Sequence, residues 1–109
     1  MYISYSLWGS NEVYTYGMIE NVLLAKEIYK RWKVRVHYND TVPQKVIDWL
    51  EAQENVEMIH HEGNDALASN MFWRFYDLFL PNTVVIIRDA DSRLSVHEKE
   101  MVDEWLNSS

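Results

Sequence analysis

Thr83-Val84-Val85-Ile86-Ile87-Arg88-Asp89-Ala90-Asp91-Ser92-Arg93 begins as an apolar run and ends as a charged loop. Val and Ile branch at Cβ and favour extended backbone. Four of them in a row, with no polar alternate, predict a strand over Thr83–Ile87 buried on both faces, as in the middle of a parallel sheet. Two carboxylates follow, with one small residue between them. Ser95-Val96-His97-Glu98 then matches a capping box and opens a helix whose apolar face is Val102, Trp105 and Leu106. Strand, acidic loop and capped helix in that order make one half of an α/β unit.

The pattern repeats toward the N-terminus. Tyr2 to Leu7 reads as a strand with Ile3, Tyr5 and Leu7 on one face, followed by a polar and aromatic loop over Trp8–Gly17. Met18, Val22, Ala25 and Tyr29, flanked by Ile19 and Leu23, form a stripe at helical spacing over Met18–Tyr29. Val34, Val36 and Tyr38 alternate with Arg35 and His37, which predicts a second strand with one wetter face. Thr41-Val42-Pro43-Gln44 matches another capping box, and the helix it opens buries Val46, Ile47 and Leu50. Val56 to His60 is a short third strand. Gly63-Asn64-Asp65 breaks the pattern, and a helix from about Ala68 to Leu80 turns Met71, Phe72, Phe75, Leu78 and Phe79 mainly inward. The resulting βαβαβαβα order with short connections predicts an α/β, Rossmann-like parallel sheet of about four strands with helices on both faces.

Composition narrows the function. The chain has 109 residues, the size of one small domain, and a formal net charge of -7. Such a surface repels phosphate backbones, so nucleic acid is not an expected partner. There is no Cys, which removes disulfides and Cys-based zinc sites. No uninterrupted apolar run exceeds four residues, so no membrane span is expected, and no signal peptide is visible at Met1-Tyr2-Ile3-Ser4. A cytoplasmic location follows as an expectation. With only Gly9, Gly17 and Gly63, the chain has neither GxGxxG nor GxxxxGK[ST], and no GxSxG elbow. His60-His61 lacks the i,i+4 spacing of a helical zinc pair and reads as a strand end with one buried and one exposed ring.

The Asp89-Ala90-Asp91 loop carries the chemistry. Ligands of open α/β sheets bind beyond the carboxyl ends of the strands. Hard carboxylate oxygens suit Mg2+ or Mn2+, which in turn bind a diphosphate. The three-residue pattern alone is weak, because seven Asp in this chain produce roughly 0.4 such pairs by chance. Its place after the apolar strand supplies the specificity. The structural alternative is a pair of surface carboxylates bridged to Arg88 and Arg93.

The tract Val84 to Leu94 resembles the DxD segment of GT-A glycosyltransferases. Ile3-Ser4-Tyr5-Ser6-Leu7-Trp8-Gly9, Tyr38-Asn39-Asp40-Thr41-Val42-Pro43, Phe72-Trp73-Arg74-Phe75 and Glu98 to Leu106 resemble the group of these enzymes found in large DNA viruses such as chlorella viruses. The resemblance implies a nucleotide-diphosphate sugar, UDP- or GDP-linked, a divalent cation (Mn2+ or Mg2+), and glycosyl transfer to an acceptor. It implies Asp91 as the principal metal ligand and Asp89 as a metal or ribose contact. Ser6, Leu7 and Trp8 would meet the nucleoside, Asp40 the base or ribose, and Arg74, Arg88 and Ala90 would complete the nucleotide-sugar site. The resemblance names no catalytic residue here.

GT-A domains usually run to about twice this length. Residues 1–109 are therefore expected to be a single donor-binding domain, truncated where the acceptor half would follow, and self-association is expected through surface left uncovered. Whether such a chain turns over is open, and a non-catalytic nucleotide-sugar or metal-binding module is the alternative. A phosphotransfer domain of receiver or haloacid-dehalogenase type is disfavoured, because those place a key Asp after the first strand, where Ser6-Leu7-Trp8 stands.

Overall fold

The computed structural model describes residues 1–63 and 68–108. It contains β1 (Tyr2–Leu7), α1 (Glu12–Ile28), β2 (Lys33–Tyr38), α2 (Gln44–Glu51), β3 (Val56–His60), a 3-10 helical segment (Ala68–Phe79), β4 (Val85–Ile87) and α3 (Val96–Asn107). The four strands form one parallel sheet in the order β3-β2-β1-β4. The expected α/β, Rossmann-like architecture is present. The chain steps outward from β1 to β3, then crosses back over the sheet to β4. Right-handed crossovers accordingly put α1 and α2 on one face and the 3-10 segment on the other.

The two faces differ in chemistry. Ile3, Tyr5 and Leu7 of β1 and Val34 and Val36 of β2 are fully buried against Met18, Val22 and Ala25 of α1, Tyr29 at its C-cap, and Val46, Ile47 and Leu50 of α2. This is the core, and each such aliphatic side chain contributes roughly 1.5–3 kcal/mol by leaving water. The alternate residues, Ser4, Ser6, Arg35 and His37, form a polar floor beneath the 3-10 segment. Ser4, Ser6 and His37 are buried there, so the wetter face expected of β2 is covered by protein.

That polar floor explains the largest departure from the sequence pattern. The 68–79 segment turns Asn70 and Asp77 inward, while Met71, Phe72, Phe75, Tyr76, Leu78 and Phe79 are exposed. Its apolar residues are therefore mainly outward, opposite to expectation. Buried polar groups need hydrogen-bond partners, and Asp77 supplies one to Ser4 and to His37 where a Phe or Leu side chain would supply none.

Other boundaries differ for local reasons. The expected loop over Trp8–Gly17 is mostly helix, because Asn11 caps α1 by accepting from Val13 N at 2.9 Å. The Thr41 capping box does not form. Pro43 is the N-cap of α2, and Thr41 Oγ1 instead accepts from Gly9 N at 2.7 Å. Ser95 does cap α3, accepting from Glu98 N. The Glu98 carboxylate turns away to Tyr29 and Arg88, Val102 and Leu106 pack on the core, and Trp105 is exposed. β4 is a three-residue strand at the sheet edge and half-buried, so burial on both faces belongs to β1 and β2 instead. The break expected at Gly63-Asn64-Asp65 lies partly outside the described residues.

Candidate functional site

The chain leaves β1 toward β2 on one side and β4 joins β1 on the other, so the strand order reverses between β1 and β4 at their carboxyl ends. Such a switch point is the usual ligand position in open parallel sheets. A cavity of about 330 Å³ opens there, lined by Ser6, Trp8, Tyr14, Met71, Arg74, Asp89, Ala90 and Asp91. Of the residues nominated from sequence, Ser6, Trp8, Arg74, Asp89, Ala90 and Asp91 therefore share one cavity. Three do not reach it. Leu7 lies in the core on the opposite sheet face, Asp40 binds His60 Nε2 at 2.8 Å beside β3, and Arg88 Nη2 pairs with Glu98 Oε2 at 2.8 Å beneath α3.

The acidic loop is held from α1. Asn21 is fully buried and makes three bonds to the loop. Its Nδ2 donates to Ser92 O at 2.7 Å and to Ala90 O at 3.4 Å, and its Oδ1 accepts from Leu94 N at 3.0 Å. One turn earlier, Gly17 lets the helix touch the loop: a Cβ there would stand 2.3 Å from Ala90 O. Arg93 adds an exposed ion pair to Glu20 at 2.7 Å. Asp89 O accepts from Ser92 N at 3.1 Å, closing a turn that leaves the Asp89 and Asp91 side chains exposed.

Arg74 faces Asp89 from the 3-10 segment. Its Nη1 ion-pairs with Asp89 Oδ1 and donates to Arg88 O at 3.2 Å, while its buried Nε has no partner among the described residues. The Ser6 hydroxyl holds this segment in place. It donates to Met71 O and accepts from Arg74 N, both at 2.9 Å. Trp8 and Tyr14 stack with centroids 6.4 Å apart at the cavity wall. The cavity thus combines one planar cation, two carboxylates and two parallel rings.

A second polar cluster lies beside it on the same sheet face. Asp77 is buried and accepts from Ser4 Oγ at 2.6 Å and from His37 at 2.9 Å. Arg35 Nε is 3.0 Å from its other oxygen, close enough for an ion pair but not aligned as a hydrogen bond. His37 Nδ1 meets His61 Nε2 at 2.8 Å, and the His61 ring stacks on Trp73 at 4.5 Å. Burial alone would raise the Asp77 carboxyl; the hydrogen bonds from His37 and Ser4, with the charges of His37 and Arg35, hold it below the ordinary carboxylate value. Burial, and then the neighbouring His37 and His60, push His61 below the ordinary imidazole value. Of the His60-His61 pair, His60 is exposed and His61 is partly covered.

Sequence reasoning passed over Asn21, Gly17 and the Asp77–His37–His61 chain. Asn21 carried a legible sign, a lone amide flanking an apolar helical stripe. Asp77 and His37 lie far apart in sequence and have none.

Two carboxylates on a loop are a sparse donor set. It suits a hard cation that keeps most of its water or takes the rest of its ligands from a phosphate. Among the described residues, no group of three or more His, Asp or Glu is arranged as a metal cage. No helix of the described residues is long and apolar enough to cross a membrane. No protein-family model, curated protein or solved structure matches the chain.

Proposed function

We propose that the β1/β4 crevice binds a nucleotide-diphosphate sugar, and that the chain is the donor-binding domain of a metal-dependent glycosyltransferase. The observation that carries this is the convergence of Arg74, Asp89 and Asp91, from two separate elements, on one cavity at the sheet's switch point. A bound Mn2+ or Mg2+ would supply positive charge to the diphosphate leaving group. Asp91 would hold that ion, with Asp89 beside it. Arg74 supplies a planar fork that can donate two hydrogen bonds to a phosphate. Trp8 and Tyr14 present stacked faces suited to a base or sugar ring. Ser6 acts through the backbone of the 3-10 segment, keeping Arg74 over the loop.

Calorimetric titration of UDP and GDP, with and without Mn2+, tests the proposal. Binding that requires Mn2+ and is abolished in Asp91→Ala supports it. Metal-independent binding, no binding of either nucleotide, or equal affinity in Asp91→Ala rejects it.

A further inference from the structure

The β4 side of the molecule is built differently from the rest of its surface. Three residues per turn in the 3-10 segment align its side chains in three rows. The row of Arg74 and Asp77 lies over the sheet, where Asp77 accepts from Ser4 and the backbone of Arg74 bonds to Ser4 and Ser6. Trp73 and Tyr76 lie toward β3, within 4.5 Å and 5.9 Å of the His61 ring. The remaining row, Phe72, Phe75 and Leu78, therefore runs along the β4 side, and these residues are 55%, 37% and 56% exposed.

The opposite layer shows the same feature. In α3, Glu98, Val102 and Leu106 face inward, while Lys99 and Asp103 flank α1. Helical geometry then places Met101 and Trp105 on the flank away from α1, beyond β4. They are 59% and 63% exposed. Between the two apolar rows lies the free edge of β4. Tyr2 N donates to Val84 O and Arg88 N donates to Ser4 O, so the parallel ladder leaves the N–H and C=O of Val85 and Ile87 pointing outward. No charged residue occurs from Leu78 to Ile87, in a chain with a net charge of -7. The edge thus lacks the charges that commonly block strand pairing.

We infer that this side is a homodimer interface, in which β4 pairs antiparallel with β4 of a second copy across a two-fold axis. The two apolar rows of each copy flank that pair. An apolar surface such as a lipid core would cover the rows but strand the edge N–H and C=O groups. A second copy supplies both apolar area and hydrogen-bonding partners, and is self-complementary about the axis. The five side chains expose roughly 500 Å² per copy at about 150–250 Å² per large side chain. A standard interface takes about 800 Å² per partner, rim included, so this area forms an adequate centre.

Sedimentation velocity over roughly 1–200 µM tests the inference by mass action. The expected result is a monomer–dimer equilibrium, with exchange of the Val85 and Ile87 amides slowing as dimer forms. The double variant Phe72→Glu/Trp105→Glu changes exposed positions and should weaken association at least about tenfold with unchanged circular dichroism. Leu23→Glu, an exposed change on α1, should leave it unaltered. A strictly monomeric protein, an open-ended aggregate, equal weakening by Leu23→Glu, or a dimer without protection of Val85 and Ile87 overturns the proposal. The outcome does not depend on nucleotide binding.

Discussion

Replacing Asn21 with Ala removes the contacts by which α1 holds the acidic loop. Three hydrogen bonds are lost, to Ser92 O, Ala90 O and Leu94 N. Ser92 is exposed and can turn to water, whereas Leu94 is buried and its N–H is left without a partner. Orphaning one buried donor costs about 1–3 kcal/mol, and each lost neutral bond about 0.5–1.5 kcal/mol. Allowing for solvation of the exposed carbonyl, the expected loss is about 3 kcal/mol. This is a large share of the ~5–15 kcal/mol that holds a typical domain folded. Urea unfolding should show a midpoint lowered by roughly 1.5 M with an unchanged slope. Asn21→Leu separates the causes, since it refills the volume but leaves Leu94 N–H unpaired. It should remain destabilised by at least about 1 kcal/mol. If Asn21→Ala changes stability by less than about 0.5 kcal/mol, or Asn21→Leu restores the wild-type midpoint, hydrogen bonding from α1 does not hold this loop.

Three further outcomes follow from the same geometry. Ala at position 17 would gain about 1 kcal/mol of helix propensity over Gly, but its Cβ collides with Ala90 O, so Gly17→Ala should destabilise by about 1–2 kcal/mol net; a raised melting temperature would contradict the contact. Asp77→Ala strips partners from buried His37 and from Arg35 and should cost about 3–5 kcal/mol in urea unfolding, with a loss under about 1 kcal/mol counting against the network. Stability should also fall in acid in two stages. The His61 contribution is complete above the unfolded value of 6.5 and is lost as pH drops below it, and the Asp77 contribution is complete above 3.8 and is lost as pH falls through its lower folded value. His61→Phe should flatten only the upper stage in melting curves from pH 8 to pH 3, and an unchanged profile would exclude His61 as its source.

The strands were legible because their alternation is local. Ile3, Tyr5 and Leu7 share a face by the geometry of extended backbone alone, and β1 and β3 start and end where expected. The acidic loop was legible for the same reason, since it follows its strand directly. Arg74 was legible only through resemblance, because it meets Asp89 across 15 residues of chain. Leu7 and Arg88 sit beside cavity residues in sequence, but the pleat turns Leu7 into the core and Arg88 toward Glu98, and Asp40 lies away from the cavity against His60.

The amphipathic pattern of residues 68–80 marks one apolar face but not the side on which it lies. That side depends on the floor, and the floor became polar once Ser4, Ser6, Arg35 and His37 were aligned on one sheet face. Sequence by itself determined the α/β class, the parallel order of elements and the position of the acidic loop. These rest on periodicity and on short connections, which act between near neighbours. Strand order, the half-buried edge position of β4, the Asn21 anchor and the outward apolar row were decided only in the tertiary structure. Each depends on contacts between residues far apart in the chain, and a local pattern permits more than one such pairing.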